Sequence, residues 1–258
     1  MLNEKQTSAI AIVQARMGSS RLPGKVLADI GGKPMLARVV LRVRRARLLD
    51  QVIVATTTDP SDDPIEAYCM SAGFPCFRGD PYDVLDRYYK AALLFRADPI
   101  VRITADCPLI DPGEIDRTVL TFLDNEVDFA ANRLPPPLKR TTPIGMDTEV
   151  VSFEALSRTW REAEAKYARE HVMPYLYEEK GRFKTLLVQH EPDLGHLRLT
   201  VDTTKDLILI REIYVAFGNR DDFTLLDILR LLDEEPQLSA INADVPHKGY
   251  QEVDKSAC

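Results

Sequence analysis

The stretch Ala9-Ile-Ala-Ile-Val-Gln-Ala-Arg-Met-Gly-Ser-Ser-Arg-Leu-Pro-Gly-Lys25 decides the architecture. Its first half is a short apolar run and its second half is Gly, Ser and Pro interspersed with cations, which reads as a buried strand emptying into a loop. Downstream of Pro34, Leu36, Val39, Val40 and Val43 recur at helical spacing with Arg38, Arg42 and Arg45 on the other side. That pattern predicts an amphipathic helix of about thirteen residues. Gln51–Thr56 is the next strand, Ser61–Ala72 the next helix, and Phe74–Phe77 a short strand after the Gly73-Phe-Pro turn. A helix over Asp83–Phe95 and a strand over Pro99–Thr104 follow. Asp111-Pro-Gly-Glu114 supplies an N-cap, a proline at the first helical position and an acid at the third, opening a helix to about Leu123.

Strands alternating with helices imply a parallel sheet, because each parallel crossover deposits a helix on one face. The predicted fold class is α/β, a three-layer α/β/α sandwich with a mainly parallel sheet. The alternation breaks at Asn132–Pro143, where three consecutive prolines exclude helix and central strand. Residues roughly 130–195 are therefore expected to form an inserted arm or lid. Regularity resumes with a strand over Leu197–Val201 and helices over Thr203–Phe217 and Leu225–Leu232. The expected organisation is one domain over 1–240 and a polar, flexible tail over 241–258.

The 258 residues are 45% hydrophobic and 28% charged, an ordinary globular composition at a length one α/β domain can fill. A formal charge of −7 argues against sequence-independent capture of a phosphate backbone, so nucleic acid is not an expected partner. No apolar run approaches the roughly 18 residues of a membrane helix, and the N-terminal residues lack a signal-peptide pattern. A cytoplasmic protein is expected, without a membrane partner. Its four cysteines, at 69, 76, 107 and 258, show neither metal-ligand spacing nor a disulfide framework.

In open parallel sheets, ligands bind beyond the carboxyl ends of the strands. After the first strand, Arg16, Arg21 and Lys25 share a Gly/Ser loop whose amides and cations suit a polyphosphate. It is not a Walker A loop, since five residues separate Gly18 from Gly24 and Val26 stands where Ser or Thr would hold magnesium. A solvated basic turn is the plain alternative. Asp106, in Arg102-Ile-Thr-Ala-Asp-Cys-Pro-Leu-Ile110, stands just past a strand, where a carboxylate can share a magnesium ion with nucleotide phosphates or serve only as a turn residue. Arg102 interrupts an apolar strand and needs either a core carboxylate or an anionic ligand. Asp206 is explained by a capping box with Thr203, whereas Asp202 at the same strand end can meet Asp106 as a second metal ligand. His171 reads as a packed or surface histidine rather than a general base.

Taken in order, these motifs resemble a known family. The loop A-R-x-x-S-x-R-L-P-G-K over 15–25 is similar to the signature loop of the cytidylyltransferases that activate acidic sugars, the CMP-sialic acid and CMP-Kdo synthetases. The likeness is strongest to the spore-coat polysaccharide biosynthesis protein F type, through Phe77-Arg-Gly-Asp80, Asp83-Val-Leu-Asp-Arg-Tyr-Tyr89, Arg102–Asp111, Arg169-Glu-His-Val172 and Thr200-Val-Asp-Thr203. The resemblance spans about residues 9–215. It implies a Rossmann-like, nucleotide-diphospho-sugar transferase-like fold and the transfer of CMP from CTP to a sugar hydroxyl, with release of pyrophosphate. By the same resemblance Ala15, Arg16, Ser19, Arg21 and Lys25 hold the nucleotide, Arg78 and Asp80 lie near the base, and Asp106 and Asp202 bind Mg2+. Lys25, Arg16, Asp106 and Asp202 then carry the chemistry, while Arg87, Arg102, Gly145, Asp147 and Glu149 face the sugar. It also implies an acidic 2-keto sugar as acceptor, a role in surface polysaccharide biosynthesis, and a homodimer.

Two other readings compete. A glycosyltransferase with a similar nucleotide-binding half would carry Asp-x-Asp for its metal, but residues 104–106 are Thr-Ala-Asp. A non-catalytic nucleotide-binding protein would have less need of both Asp106 and Asp202.

Overall fold

The computed structural model describes residues 9–246; residues 1–8, and with them all but the first six positions of the expected tail, 247–258, lie outside the described residues. The chain runs β1 (Ala9–Gln14), a small hairpin β2 (Asp29–Ile30) and β3 (Lys33–Pro34), α1 (Met35–Val43), β4 (Leu49–Thr57), α2 (Asp63–Ala72), β5 (Cys76–Gly79), α3 (Val84–Phe95), β6 (Ile100–Thr104) and α4 (Pro112–Asp124). There follow β7 (Phe129–Ala131), β8 (Glu149–Val151), α5 (Phe153–Glu162), α6 (Lys166–His171), α7 (Pro174–Tyr177), β9 (Thr185–Leu187), α8 (Thr204–Ala216), α9 (Leu225–Glu234) and α10 (Pro236–Ala240). Seven strands form one sheet in the order β5-β4-β1-β6-β8-β7-β9. Only β8 runs against its neighbours.

β1 lies at the heart of this sheet because it can bury both faces. Ala9, Ala11 and Val13 enter a core with Leu36, Val40, Ile65 and Val119, whereas Ile10 and Ile12 enter a second core with Leu85, Tyr88, Leu156 and Met173. Alternate residues of a strand point to opposite faces, so one apolar strand anchors two helical layers. A third apolar cluster, built from α8, α9 and Met35, flanks the sheet.

Several elements differ from the sequence reading. α1 has nine residues rather than thirteen, because its last turn tightens at Arg44–Ala46. Its basic side is not solvated. Arg38 and Arg42 are fully buried, with their guanidinium carbons 4.4 Å and 4.2 Å from the ring centres of Tyr214 and Phe223. Arg38 donates to the Ile30 carbonyl (2.9 Å) and pairs with Asp221 (2.9 Å), and Arg42 donates to the Ile110 carbonyl (2.9 Å), so both clamp the third cluster to the sheet. β5 starts two residues later than the expected strand, after the turn at Gly73–Pro75. Residues 130–195, expected as an arm or lid, put β7, β8 and β9 into the main sheet and α5–α7 on its face.

Leu197–Val201 is not a strand. Its backbone is consumed by irregular partners: Ile144 N–H donates to the Leu197 carbonyl, Leu199 N–H to the Ile144 carbonyl, and Val201 N–H to the Asp106 carbonyl. Only a single bridge, Ile144 with Arg198, is strand-like. Gly145 makes this crossing possible: its φ is +101°, and a Cβ there would fall 2.6 Å from the Leu199 backbone. The segment is fastened by the fully buried Asp206, which accepts from Arg198 Nε (2.8 Å) and Asn242 Nδ2 (2.9 Å) and closes the capping box of α8.

Two stability measurements follow from this packing. Gly145→Ala is expected to lose at least about 2 kcal/mol in urea unfolding, through backbone strain and overpacking together. Burial raises the Asp206 pKa, but Arg198 and Asn242 outweigh it and hold the carboxyl at about 2, below its ordinary 3.8. Its stabilisation is thus present above pH about 4 and fades as pH falls through about 2. Asp206→Asn should therefore cost about 2 kcal/mol at pH 7, with the gap to wild type narrowing steadily below pH about 4 in acid unfolding series.

Candidate active site

The register of β1 on β6 sets Gln14 beside Thr104, so the loops that leave the two strands diverge from neighbouring points. Ala105 N–H donates to the Gln14 carbonyl at 3.0 Å, which ties the two exits together. The first loop is pinned by Met17 N–H to Asp62 (2.6 Å) and closed by Gly24 N–H to the Met17 carbonyl (3.0 Å). Asp62 is itself buried and takes a hydrogen bond from the Thr57 hydroxyl. Gly24, at φ +73°, then turns the chain into a short 3-10 turn over Lys25–Leu27. That turn aims Lys25 back across the strand ends.

Lys25 is the centre of the site. Its ammonium donates to Asp106 Oδ2 (3.1 Å), to the Val201 carbonyl (2.6 Å) and to Asp202 Oδ1 (3.0 Å). Asp202 also pairs with Arg21 (2.9 Å) and Arg198 (2.9 Å), and Asp106 accepts from the Thr104 hydroxyl (2.6 Å). Burial works against the Lys25 charge, but the two carboxylates more than compensate, and its pKa rises. Burial likewise opposes ionisation of Asp106, and Lys25 with Thr104 overcomes it, leaving the carboxyl below its ordinary value. The Asp106 carboxylate is therefore ionised at neutral pH. The neighbouring Cys107 thiol is pushed well up by burial and the Asp106 charge, so it is no nucleophile.

A cleft of about 350 Å³ opens over these groups. Ala15, Arg16, Ser19, Arg21, Lys25, Arg87, Asp106 and Asp202, all expected from the sequence, line it. Arg16 has no hydrogen bond or ion pair among the described residues. Arg87 is buried behind the loop, where it donates to the Asp80 carbonyl (3.2 Å) and burial lowers its pKa.

A second cavity of about 160 Å³ adjoins the first and holds Arg102, Asp147 and Glu149. Glu149 is the β8 residue paired in register with Arg102, and the two side chains form an ion pair, so Arg102 finds its partner in the core. Asp147 is held by both terminal nitrogens of Arg140, at 2.5 and 3.0 Å.

The remaining expected residues lie outside both cavities. Arg78 spends its guanidinium on the Thr57 and Asp59 carbonyls, Glu66 and Asp63, tying β5 to α2. The Asp80 carboxylate accepts from Tyr82 and Asp83 N–H in a tight turn. Gly145 serves the backbone crossing described above.

Three residues at the junction carried no role in the sequence reading. Thr104, Arg133 and His171 line both cavities. His171 ends α6, with its Nε2 buried and without a hydrogen-bond partner. Burial and then Arg102 lower its pKa, with Arg133 acting the same way and Glu170 and Glu149 opposing, so the imidazole is neutral at pH 7. Arg133, from the loop after β7, has no ion pair or hydrogen bond among the described residues. Only the recurrence of the Arg169-Glu-His-Val172 motif pointed to this corner.

Among the described residues no group of three or more Asp, Glu, His or Cys side chains gathers as a ready-made metal cage. Asp106 and Asp202 nonetheless converge on one cation, the Lys25 ammonium, and two carboxylates completed by phosphates and water form a donor set suited to a hard divalent ion. The residues fit Mg2+ in that sense.

A cytidylyltransferase family profile matches residues 10–219. An uncharacterized protein of Methanocaldococcus jannaschii is 38% identical over 248 residues, which cover 95% of this chain and 99% of that protein. The spore coat polysaccharide biosynthesis protein SpsF of Bacillus subtilis is 33% identical over 87% of this chain and 94% of its own length. A solved cytidylyltransferase from Leptospira borgpetersenii superposes with a TM-score of 0.85 at 32% identity, covering 93% of this chain and 99% of that one. With the profile over most of its length and relatives of this similarity, the chain belongs to the cytidylyltransferase family.

Proposed function

We propose that the protein transfers CMP from CTP to a hydroxyl of an acidic 2-keto sugar and releases pyrophosphate, using Mg2+, as a step towards a surface polysaccharide. The observation that carries this reading is the convergence of Lys25, Arg21, Asp106 and Asp202 beneath a cleft that the unpaired Arg16 also lines. Support for a sugar acid comes from relatives: part of this chain is 36% identical to a 3-deoxy-manno-octulosonate cytidylyltransferase of Agrobacterium fabrum, over 50% of this chain and 52% of that enzyme. A second support is charge. In the smaller cavity Arg102 and Asp147 are neutralised by Glu149 and Arg140, which leaves Arg133 as a cation suited to a carboxylate. CTP is a cytoplasmic metabolite, so we place the reaction there; a homodimer belongs to the same reading by likeness to the family.

In the proposed reaction the triphosphate lies along Arg16, Arg21 and Lys25, whose charges hold its oxygens and the departing pyrophosphate. Such chemistry asks mainly for positioning and charge stabilisation. Asp106 and Asp202 would hold Mg2+, which would supply further neutralisation of the phosphate charge. The acceptor sits in the smaller cavity with its carboxylate on Arg133. Its hydroxyl oxygen attacks the α-phosphorus, the bond from that phosphorus to the bridging oxygen of the β-phosphate breaks, and the hydroxyl proton passes to the neutral His171 imidazole at the junction.

Thermal melting with each of the four nucleoside triphosphates and Mg2+ is the first test, since a ligand of the native state raises apparent stability. The largest shift is expected with CTP; a shift confined to intact nucleotide sugars would overturn the reading. In a pyrophosphate-release screen of sugar acids, Asp106→Asn should lose on the order of 10²–10³ in turnover while its far-UV dichroism is unchanged. With the acceptor so found, His171→Gln should lower kcat on the order of 10²-fold. It should also remove the acid limb of the wild-type profile, in which the rate rises as pH climbs through the lowered imidazole pKa.

A further inference from the structure

We infer that Lys25 is a latch on the cation site, so that the site takes the divalent ion together with a nucleoside triphosphate and scarcely takes the ion alone. This inference rests on the reading of Asp106 and Asp202 as the ion's ligands. An ammonium has three N–H donors and no more. All three of Lys25 are spent inside the protein, on Asp106 Oδ2, the Val201 carbonyl and Asp202 Oδ1. The lysine therefore stands at the point on which the two carboxylates converge, and it cannot donate to a phosphate without giving up one of these three partners.

The other oxygens offer an arriving ion no easier entry. Asp202 Oδ1 is shared with Arg21, its Oδ2 is taken by Arg198, and Asp106 Oδ1 accepts from the Thr104 hydroxyl. Of these partners, Arg198 is fixed from behind by the buried Asp206 and belongs to the scaffold. Lys25 and Arg21 differ, since both line the cleft and sit on a Gly/Ser loop. They can exchange carboxylate for phosphate.

A free divalent ion must displace the ammonium and leave it, partly buried, without a counter-charge. A triphosphate supplies that counter-charge as it arrives, drawing Lys25 and Arg21 onto its oxygens while the ion bound to those phosphates takes their place on Asp106 and Asp202. The species recognised is then the metal–triphosphate chelate. The apparent affinity of a site that is only fractionally open falls by that fraction.

The test uses Mn2+ as a paramagnetic substitute and water-proton relaxation to count ions bound to the full chain. Without nucleotide, Lys25→Gln is expected to bind Mn2+ about tenfold more tightly than wild type, as removing a latch that leaves about one molecule in ten open would require. The double variant Lys25→Gln, Asp106→Asn should lose that gain, which locates the ion. In wild type, the α,β-methylene analogue of CTP should bring Mn2+ affinity above that of either protein or analogue alone, a measurement that needs no variant. Equal Mn2+ affinity in wild type and Lys25→Gln, including no binding to either, overturns the latch. The comparison without nucleotide is independent of CTP, so a protein that ignores CTP but shows the tenfold difference refutes the proposed function and keeps the latch.

Discussion

One ammonium between two carboxylates is the constraint around which this molecule is arranged. Lys25, Asp106 and Asp202 come from three distant parts of the chain, and like charges that close repel unless a cation lies between them. Bringing them together requires β1 and β6 to be neighbours with their carboxyl ends aligned, and the register of Gln14 on Thr104 does this. It also requires the 197–202 segment to pass over the same end of the sheet. The Val201 N–H bond to the Asp106 carbonyl, and the Val201 carbonyl bond to Lys25, make that segment part of the site and not merely adjacent to it.

Behind the site lies a second tier of charge that faces no ligand. Arg198 joins Asp202 to Asp206, and Asn242 closes on Asp206 from α10's far side. Arg38 and Arg42 clamp α8 and the loop after it onto α1. Buried ion pairs gain little net stability over well-packed apolar groups, because desolvation consumes most of the Coulombic gain. What they fix is geometry: Asp202 has one permitted position because Arg198 has one.

The central strands were legible because β1 is apolar in both alternations, and the basic loop after it is unlike any surface turn in an acidic chain. Asp106 was legible from the end of β6 and Asp202 from the family's motif order, since the strand expected before Asp202 does not form. What escaped reading follows from the limits of local pattern. Leu197–Val201 has strand composition but finds only irregular partners, chiefly Ile144 and the Asp106 carbonyl, which no periodicity records. Arg38 and Arg42 occupy the polar side of an amphipathic helix, and only tertiary contact with Tyr214 and Phe223 reveals that this side is buried. His171 and Arg133 belong to different segments, α6 and the loop after β7, so nothing in either stretch shows that they share a corner.

The distinction between charges the protein satisfies and charges it leaves to a ligand then orders the whole cleft. Arg78, Arg102, Arg140 and Arg198 all find carboxylates or carbonyls of the chain itself, and each holds an element in place. Lys25 and Arg21 are satisfied by carboxylates that a divalent ion can claim instead. Arg16 and Arg133 have no such partner among the described residues, and they line the same cleft from the loop after β1 and the loop after β7. A guanidinium that no group of the chain answers is free to take an anion, so these two are cations of the cleft available to a ligand. Since Arg133 also lines the smaller cavity, an anionic group can be met there as well as in the larger cleft. On the proposed reading, an acidic acceptor would answer that guanidinium where a neutral one would leave it to water, and this difference is the selectivity the proposal implies.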